Sequence, residues 1–270
     1  AVTALANQVD YQGQDEMYKA VYSYEGVPSA SALPSTLEGF LDAKARMALL
    51  GSPLDGLTAC VDPLVEASMV DGLSGLFQSA SKISEQYEKG VMGYAAGCKF
   101  MMSQNVAKHT IGDHEGTPAI DTTITTNGTA TFHLDGTLGD VAWAKKGDII
   151  EVASVYSVNP QTKQSTGKLA QFVVTADTLP ISPAVYLTGP YQNVNRAPTD
   201  ADVVTIFNHA TSYANVVAPQ NMVFHRDAFV LACADLILPE GASRASDPES
   251  GLSLRIWSQG DIVNDREITR

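Results

Sequence analysis

The sequence predicts an α+β protein in which a β-rich module interrupts a mixed, partly helical body. Three observations carry that expectation. Residues 1–113 read as mainly helical. Residues 114–198 are rich in Thr and Val, lose helical periodicity and are broken repeatedly by turn residues, the pattern of a small all-β barrel or sandwich. Residues 199–270 mix the two textures.

In the first region, Ser35-Thr36-Leu37-Glu38 has the form of a capping box, where a side-chain oxygen accepts from an orphan helix N–H and the Glu reaches back. Leu37, Phe40, Leu41, Ala45 and Ala48 follow at helical spacing, with Gly51 as the expected stop. Asp62-Pro63 predicts a second start, because Pro suits the first helical position. Leu76, Phe77, Ala80, Ile83 and Tyr87 keep the helical period towards Gly90. The apolar, small-residue run from Met92 to Met102 fits strand and helix equally.

In the second region, Thr122 to Leu134 predicts two short strands around Asn127-Gly128, since both turn residues tolerate positive φ. Ile149 to Val155 reads as a strand that Asn159-Pro160-Gln161-Thr162 ends. Leu169 to Val174 and Ala184 to Thr188 are further strands. In the third region, Val203 to Phe207 reads as a strand, Arg226 to Ala234 as a helix, and Leu252 to Ser258 as a half-buried strand by its alternation.

At 270 residues, 44% hydrophobic and 17% charged, the chain is long enough for two or three domains. Its net charge of −13 argues against gripping nucleic acid through phosphates, which takes clustered Lys and Arg. Lys145-Lys146 is the one adjacent basic pair and reads as a solvated turn. No apolar run approaches the roughly 20 residues of a membrane span. Cys60, Cys98 and Cys233 are odd in number and far apart, which predicts buried, inert thiols in a reducing compartment. The opening at Ala1 instead of Met suggests a processed product or an excised fragment.

Motifs that carry chemistry are sparse. His225-Arg226-Asp227 copies three letters of a kinase catalytic loop, but the Gly-rich loop, strand Lys, downstream Asn and D-F-G are missing, so it reads as a helix start. His109 and His114, beside Asp113 and Glu115, have no recognised metal-ligand spacing; a solvated or capping role is expected. His133 and His209 are isolated. No G-x-S-x-G elbow or phosphate-binding Gly loop occurs, and Gly72-Leu73-Ser74-Gly75 reads as a plain turn. Asn127-Gly128-Thr129 matches a glycosylation sequon but reads as a hairpin turn, and Asp247 to Glu249 as a solvated acidic loop. No catalytic, cofactor-binding or metal-ligating residue is therefore assigned, and no cofactor is expected.

The segment Asn221-Met222-Val223-Phe224-His225-Arg226-Asp227-Ala228-Phe229-Val230-Leu231-Ala232 resembles the N-x-x-F-H-[KR]-D-A-F-x-L-A stretch of tailed-phage coat proteins of the P22 type, which have the Hong Kong ninety-seven capsid fold. Further stretches resemble the same family in the same order. Ala4 to Asp10 is similar to the end of its spine helix. Gly75-Leu76-Phe77 through Tyr87, Gly90 and Gly97, then Ser103 to Thr110, is similar to its central helical part. Lys146-Gly147-Asp148, Val158 to Gly167 and Gln171 to Val174 are similar to its inserted β-domain.

The resemblance implies a non-enzymatic capsid subunit, with residues 1–113 and 199–270 in the shell wall and 114–198 as the inserted β-domain. It implies a homo-oligomer of hexamers and pentamers, made in the bacterial host cytoplasm. Its partners would be a scaffolding protein, a portal protein and enclosed double-stranded DNA, with no membrane. It also places an N-terminal arm and an extended loop before Ala1, and a further strand after Ile268. Two other readings are a carbohydrate- or receptor-binding β-module, with Trp143, Tyr156 and Tyr186 as candidate aromatics, and a hydrolase with a dispersed site.

Overall fold

A computed structural model describes residues 2–28, 33–73, 93–113, 116–137, 143–176, 179–207, 213–232, 237–246, 253–261 and 263–269. The chain divides into two compact units, one of residues 11–226 and one of residues 1–10 with 227–270. The protein is α+β: three helices and sixteen short strands are present among the described residues.

Helix α1 runs Val2–Ala20, α2 Glu38–Leu49 and α3 Pro63–Leu73. Gly51 ends α2 as expected; its φ of +77° is a conformation that glycine adopts without strain, and its N–H closes the last turn on Ala48. The capping box does not form. Leu37 is the N-cap residue, with no side-chain cap, and it packs against the adjoining core. Ser35 is drawn elsewhere: its carbonyl lies 2.2 Å from where a Cβ on Gly72 would sit. Gly72 is thus the close-contact point of α3, not part of a turn. α3 starts as predicted, with Asp62 Oδ1 accepting from Leu64 N at 2.9 Å and Pro63 at the first helical position.

Strand β1 (Leu57–Val61) alternates buried and half-buried residues. It pairs in parallel with β3 (Cys98–Met102) and antiparallel with β13 (Met222–His225); β2 (Tyr94–Ala95) completes the order β13-β1-β3-β2. The described part of the ambiguous run ending at Met102 is therefore two strands, β2 and β3, joined by a turn at Ala96-Gly97. Phe40, Leu57, Ala59, Val61, Val65, Met69, Cys98 and Phe100 form the core between this sheet and helices α2 and α3. β4 (Lys108–Thr110) pairs with β12 (Val217–Pro219). Segments from before residue 113 and after residue 199 thus build sheets together.

The larger sheet has the order β11-β8-β9-β10-β6, all antiparallel: β11 Val204–Ile206, β8 Ile149–Val158, β9 Ser165–Val174, β10 Pro180–Val185 and β6 Thr129–Thr131. The predicted break at Asn159 is a turn. Asn159 Oδ1 accepts from Gln161 and Thr162 N–H, and the Asn159 N–H donates to Gln164 O. Ser154, with φ +60°, sits where the β8–β9 register shifts. A continuous core gathers Ile111, Phe132, Trp143, Ile150, Val152, Phe172, Val174 and Phe207 among others. β5 (Gly116–Ile120) pairs with β7 (Leu134–Thr137).

Two strand expectations are corrected. Asn127-Gly128 is a turn, but residues 122–126 form no strand; β6 after the turn pairs with β10 instead. Asn127 explains why: its side chain bonds to the 187–188 backbone, tying the turn to a distant segment. The strand placed at Ala184–Thr188 lies earlier, at Pro180–Val185.

In the unit of residues 1–10 and 227–270, β14 (Ala242–Ser246), β15 (Ser253–Asp261) and β16 (Arg266–Thr269) form an antiparallel meander. The helix expected at Arg226–Ala234 is absent over its described part: Arg226 and Asp227 form a turn and residues 229–232 are irregular. Val230 and Leu231 stay exposed, so these two apolar side chains gain no burial that would sustain a helix. The helix expected around Leu76–Tyr87, and the loop at Asp247–Glu249, lie outside the described residues.

Candidate functional site: two buried polar clamps

The first clamp grows from the turn Lys145–Asp148, closed by Asp148 N–H donating to Lys145 O at 3.0 Å. Its geometry depends on Gly147, whose φ is +103° and whose missing Cβ would lie 3.0 Å from Tyr18 Cε2 and 3.3 Å from His109 Cε1. The turn delivers Asp148, 0% exposed, into the interior. Asp148 Oδ2 accepts from the backbone N–H of Lys145 at 2.7 Å and of Gly112 at 3.1 Å. Its Oδ1 lies 2.6 Å from His109 Nε2. With that nitrogen donating, Nδ1 of a neutral ring accepts from the Tyr18 hydroxyl at 3.2 Å. Helix α1, strand β4 and the entry to β8 meet in this one chain of bonds.

Carboxylate, imidazole and hydroxyl follow one another here as in a hydrolytic triad. The resemblance ends at the hydroxyl. Burial foremost, then the neighbouring Asp15, raises the Tyr18 phenol well above its usual value, so it is held protonated. Tyr18 is 8% exposed and packs edge-on to His109, so no substrate reaches it. The arrangement is suited to holding, not to reacting.

The second clamp ties residues 24 and 25 to the large sheet. Glu25 Oε1 accepts from Arg46 Nε at 2.6 Å and Lys168 Nζ at 2.9 Å. Burial alone would raise the Glu25 carboxyl, but the hydrogen bonds from Arg46 and Lys168 outweigh it and hold it below the usual range. Gln171 Oε1 accepts from Tyr24 N–H at 2.7 Å, while Gln171 Nε2 donates to Tyr24 O and to Glu151 Oε1. Glu151 is buried with Oε2 lacking a hydrogen-bond partner, and burial pushes its carboxyl up. Arg196 makes a third, more exposed tie, bidentate to Asp202 at 2.9 and 3.0 Å.

The structure distributes the residues singled out in the sequence. His109 is 3% exposed in the first clamp, not solvated, because Asp148 and Tyr18 satisfy both ring nitrogens. His114 and His209 lie outside the described residues; His133 is exposed. His225 closes β13, so His225-Arg226-Asp227 spans a strand end and a turn, not a helix start. Lys145 is less solvated than expected, its Nζ donating to Ile111 O at 3.1 Å. Cys98 is buried, whereas Cys60 is half-buried, and neither is in a disulfide; Cys233 lies outside the described residues. Among the aromatics proposed for a binding groove, Trp143 belongs to the core and Tyr156 and Tyr186 are half-buried. Among the described residues, no three His, Cys, Asp or Glu side chains group as metal ligands. No helix among them is long and apolar enough to cross a membrane.

Sequence reasoning missed Tyr18, Glu25, Arg46, Glu151 and Gln171. The available signal was polar residues in apolar strands, such as Glu151 between Ile150 and Val152, which demand a buried partner.

A family model described as P22 coat protein, gene protein 5, matches residues 29–270. Among solved structures, the CUS-3 coat protein I-domain is 25% identical over 35% of this chain and 97% of its own, with a TM-score of 0.26. That superposition is loose, and nothing about the fold rests on it. No curated protein matches the chain.

Proposed function

The chain belongs to the P22 coat protein family and is a phage major capsid protein, a structural and non-enzymatic component of the virion shell, and on that premise we propose how it builds the shell. It assembles through a wall of the Hong Kong ninety-seven type, made by residues 1–113 and 199–270 and interrupted by a β-domain at 114–198. Copies associate as hexamers and pentamers, with a scaffolding protein and a portal protein as assembly partners, around double-stranded DNA.

The observation that carries this reading is the pairing of β1 with β13 and of β4 with β12. Segments flanking residues 114–198 are brought back together, as an insertion requires. The intervening residues supply most of the large core, although Ile111, Val204, Ile206 and Phe207 join it. The clamps have a mechanical use in this reading: they fasten α1 and the strap at residues 24–25 to the inserted sheet, so that load passes between them without relying on loops. A net charge of −13 suits a container that encloses DNA without gripping its phosphates.

Co-expression of the full-length coat polypeptide with its scaffolding protein tests the proposal. Closed shells with hexameric and pentameric clusters are expected by electron microscopy. Persistent small oligomers in the presence of scaffold would overturn it.

A further inference from the structure

A cleft of about 240 Å³ opens between the segment that follows α1, the end of α2 and the large sheet. It lies wholly within the unit of residues 11–226. Its walls are mainly apolar: Leu50, Pro160, Phe172, Pro190 and Tyr191 all line it. Tyr191 is 77% exposed, yet its ring packs against Tyr186 with centroids 5.8 Å apart, which holds an aromatic surface in place at the cleft.

Arg46 is the one charged side chain lining this cleft. It is 7% exposed. Its Nε donates to Glu25 and its Nη1 to Leu169 O at 3.3 Å, whereas Nη2 has no hydrogen-bond partner among the described residues and is not sealed from solvent. The side-chain amides of Gln171 and Asn193, which line the same cleft, are both committed on oxygen and nitrogen. The charge around Arg46 is also unbalanced. Two cations, Arg46 and Lys168, share the single carboxylate of Glu25. Burial raises the Glu151 carboxyl, which reduces the negative charge it can add. Tyr22 lines the cleft as well; burial raises its hydroxyl, so it stays protonated and able to donate.

We propose that this cleft is a binding site for a small apolar carboxylate, with the carboxylate on Arg46 Nη2 and the Tyr22 hydroxyl and the ring or alkyl body against Leu50, Phe172 and Tyr191. A neutral apolar molecule would leave the guanidinium nitrogen unpaired, and a bare inorganic anion would leave the apolar walls uncovered. The carboxylate gains a charge-assisted hydrogen bond, and no covalent bond forms. The cleft is at the small end for ligand sites, with room for one ring or a short chain and its head group. The proposal does not depend on how the shell assembles, and neither outcome of its test bears on family membership.

3-Phenylpropionate is the probe, with 3-phenylpropanol as its neutral counterpart and propionate as the head group without the ring. Purified ¹⁵N-labelled coat protein is titrated with each and followed by NMR. The Arg46 Nε–H and Tyr191 amide signals are expected to shift together and saturate with phenylpropionate, while the other two molecules bind more weakly by about tenfold or more. R46K keeps the positive charge and loses the guanidinium fork. Its affinity for phenylpropionate, read at Tyr191, should fall by about tenfold or more with that for phenylpropanol unchanged. Tyr191→Ala alters an exposed side chain and should weaken both ligands by about threefold or more. The comparison of the three molecules uses the unsubstituted protein, so it stands even if R46K does not fold. Three results would each overturn the proposal: both signals unmoved by phenylpropionate, phenylpropanol binding as tightly as phenylpropionate, or Tyr191→Ala leaving both affinities as they were.

Discussion

At the scale of single residues, the interior is defined by a few polar side chains with tightly assigned partners. Removing His109 leaves the Oδ1 of the buried Asp148 without its imidazole partner, so His109→Ala should cost about 1.5–3 kcal/mol in urea unfolding. Gly147→Ala adds a Cβ against Tyr18 at a positive φ, and a loss above about 1 kcal/mol is expected by the same measurement. Glu151 acts in the other direction. Its carboxyl is raised in the fold, so its favourable contribution is complete below the unfolded carboxyl range and is lost as pH rises through the folded value. Glu151→Gln retains the shape without the ionisation. Its stability relative to the unsubstituted protein should therefore grow between acid and neutral pH; a constant difference across that range would contradict the assignment.

At the scale of elements, local preferences yield wherever a tertiary contact competes. Helix α2 begins on Leu37 without a side-chain cap because Leu37 adds apolar burial at that point. Leu37→Asn offers a cap worth about 1 kcal/mol and gives up about 1.5–3 kcal/mol of apolar burial at most, so a net destabilisation of about 1 kcal/mol is expected in thermal unfolding. The turn at Asn127 holds Leu187 N–H at 2.7 Å and contacts Thr188. Asn127→Ala should accelerate amide exchange at Leu187 and Thr188, with a global cost of only about 1 kcal/mol because the site is exposed. Equal protection in both proteins would show that the strands, not the side chain, hold that segment.

For the molecule as a whole, acid stability follows from opposed carboxyls. Glu25 and Asp202 are both subject to burial, which raises them, but hydrogen bonds from Arg46 and Lys168 and from Arg196 and Thr199 prevail and lower them. Groups lowered in the fold contribute stability above the unfolded carboxyl range and lose it as pH falls through their folded values. Arg46→Ala removes the closer partner of Glu25, so unfolding on acidification should begin at higher pH than in the unsubstituted protein, as followed by circular dichroism. Asp202 is the lesser contributor, since its ion pair with Arg196 is partly screened by solvent.

The sequence was sufficient for whatever depends on short-range pattern. The strand at Ile149 to Val155, the stop at Gly51 and the start at Asp62-Pro63 are properties of neighbouring residues, and each is present in the structure. Order along the chain, matched segment by segment, also carried the family resemblance. Long-range packing decided the rest. Ser35 lies against Gly72 instead of capping α2, β6 turned from its expected hairpin partner to β10, and Val230 and Leu231 stay exposed in an irregular stretch where a helix was expected. The clamps were beyond local reading for the same reason: Tyr18 and His109 are 91 residues apart and His109 and Asp148 are 39 apart. A buried polar group is tolerable only beside its partner, and which groups become partners is set by where the folded backbone brings them.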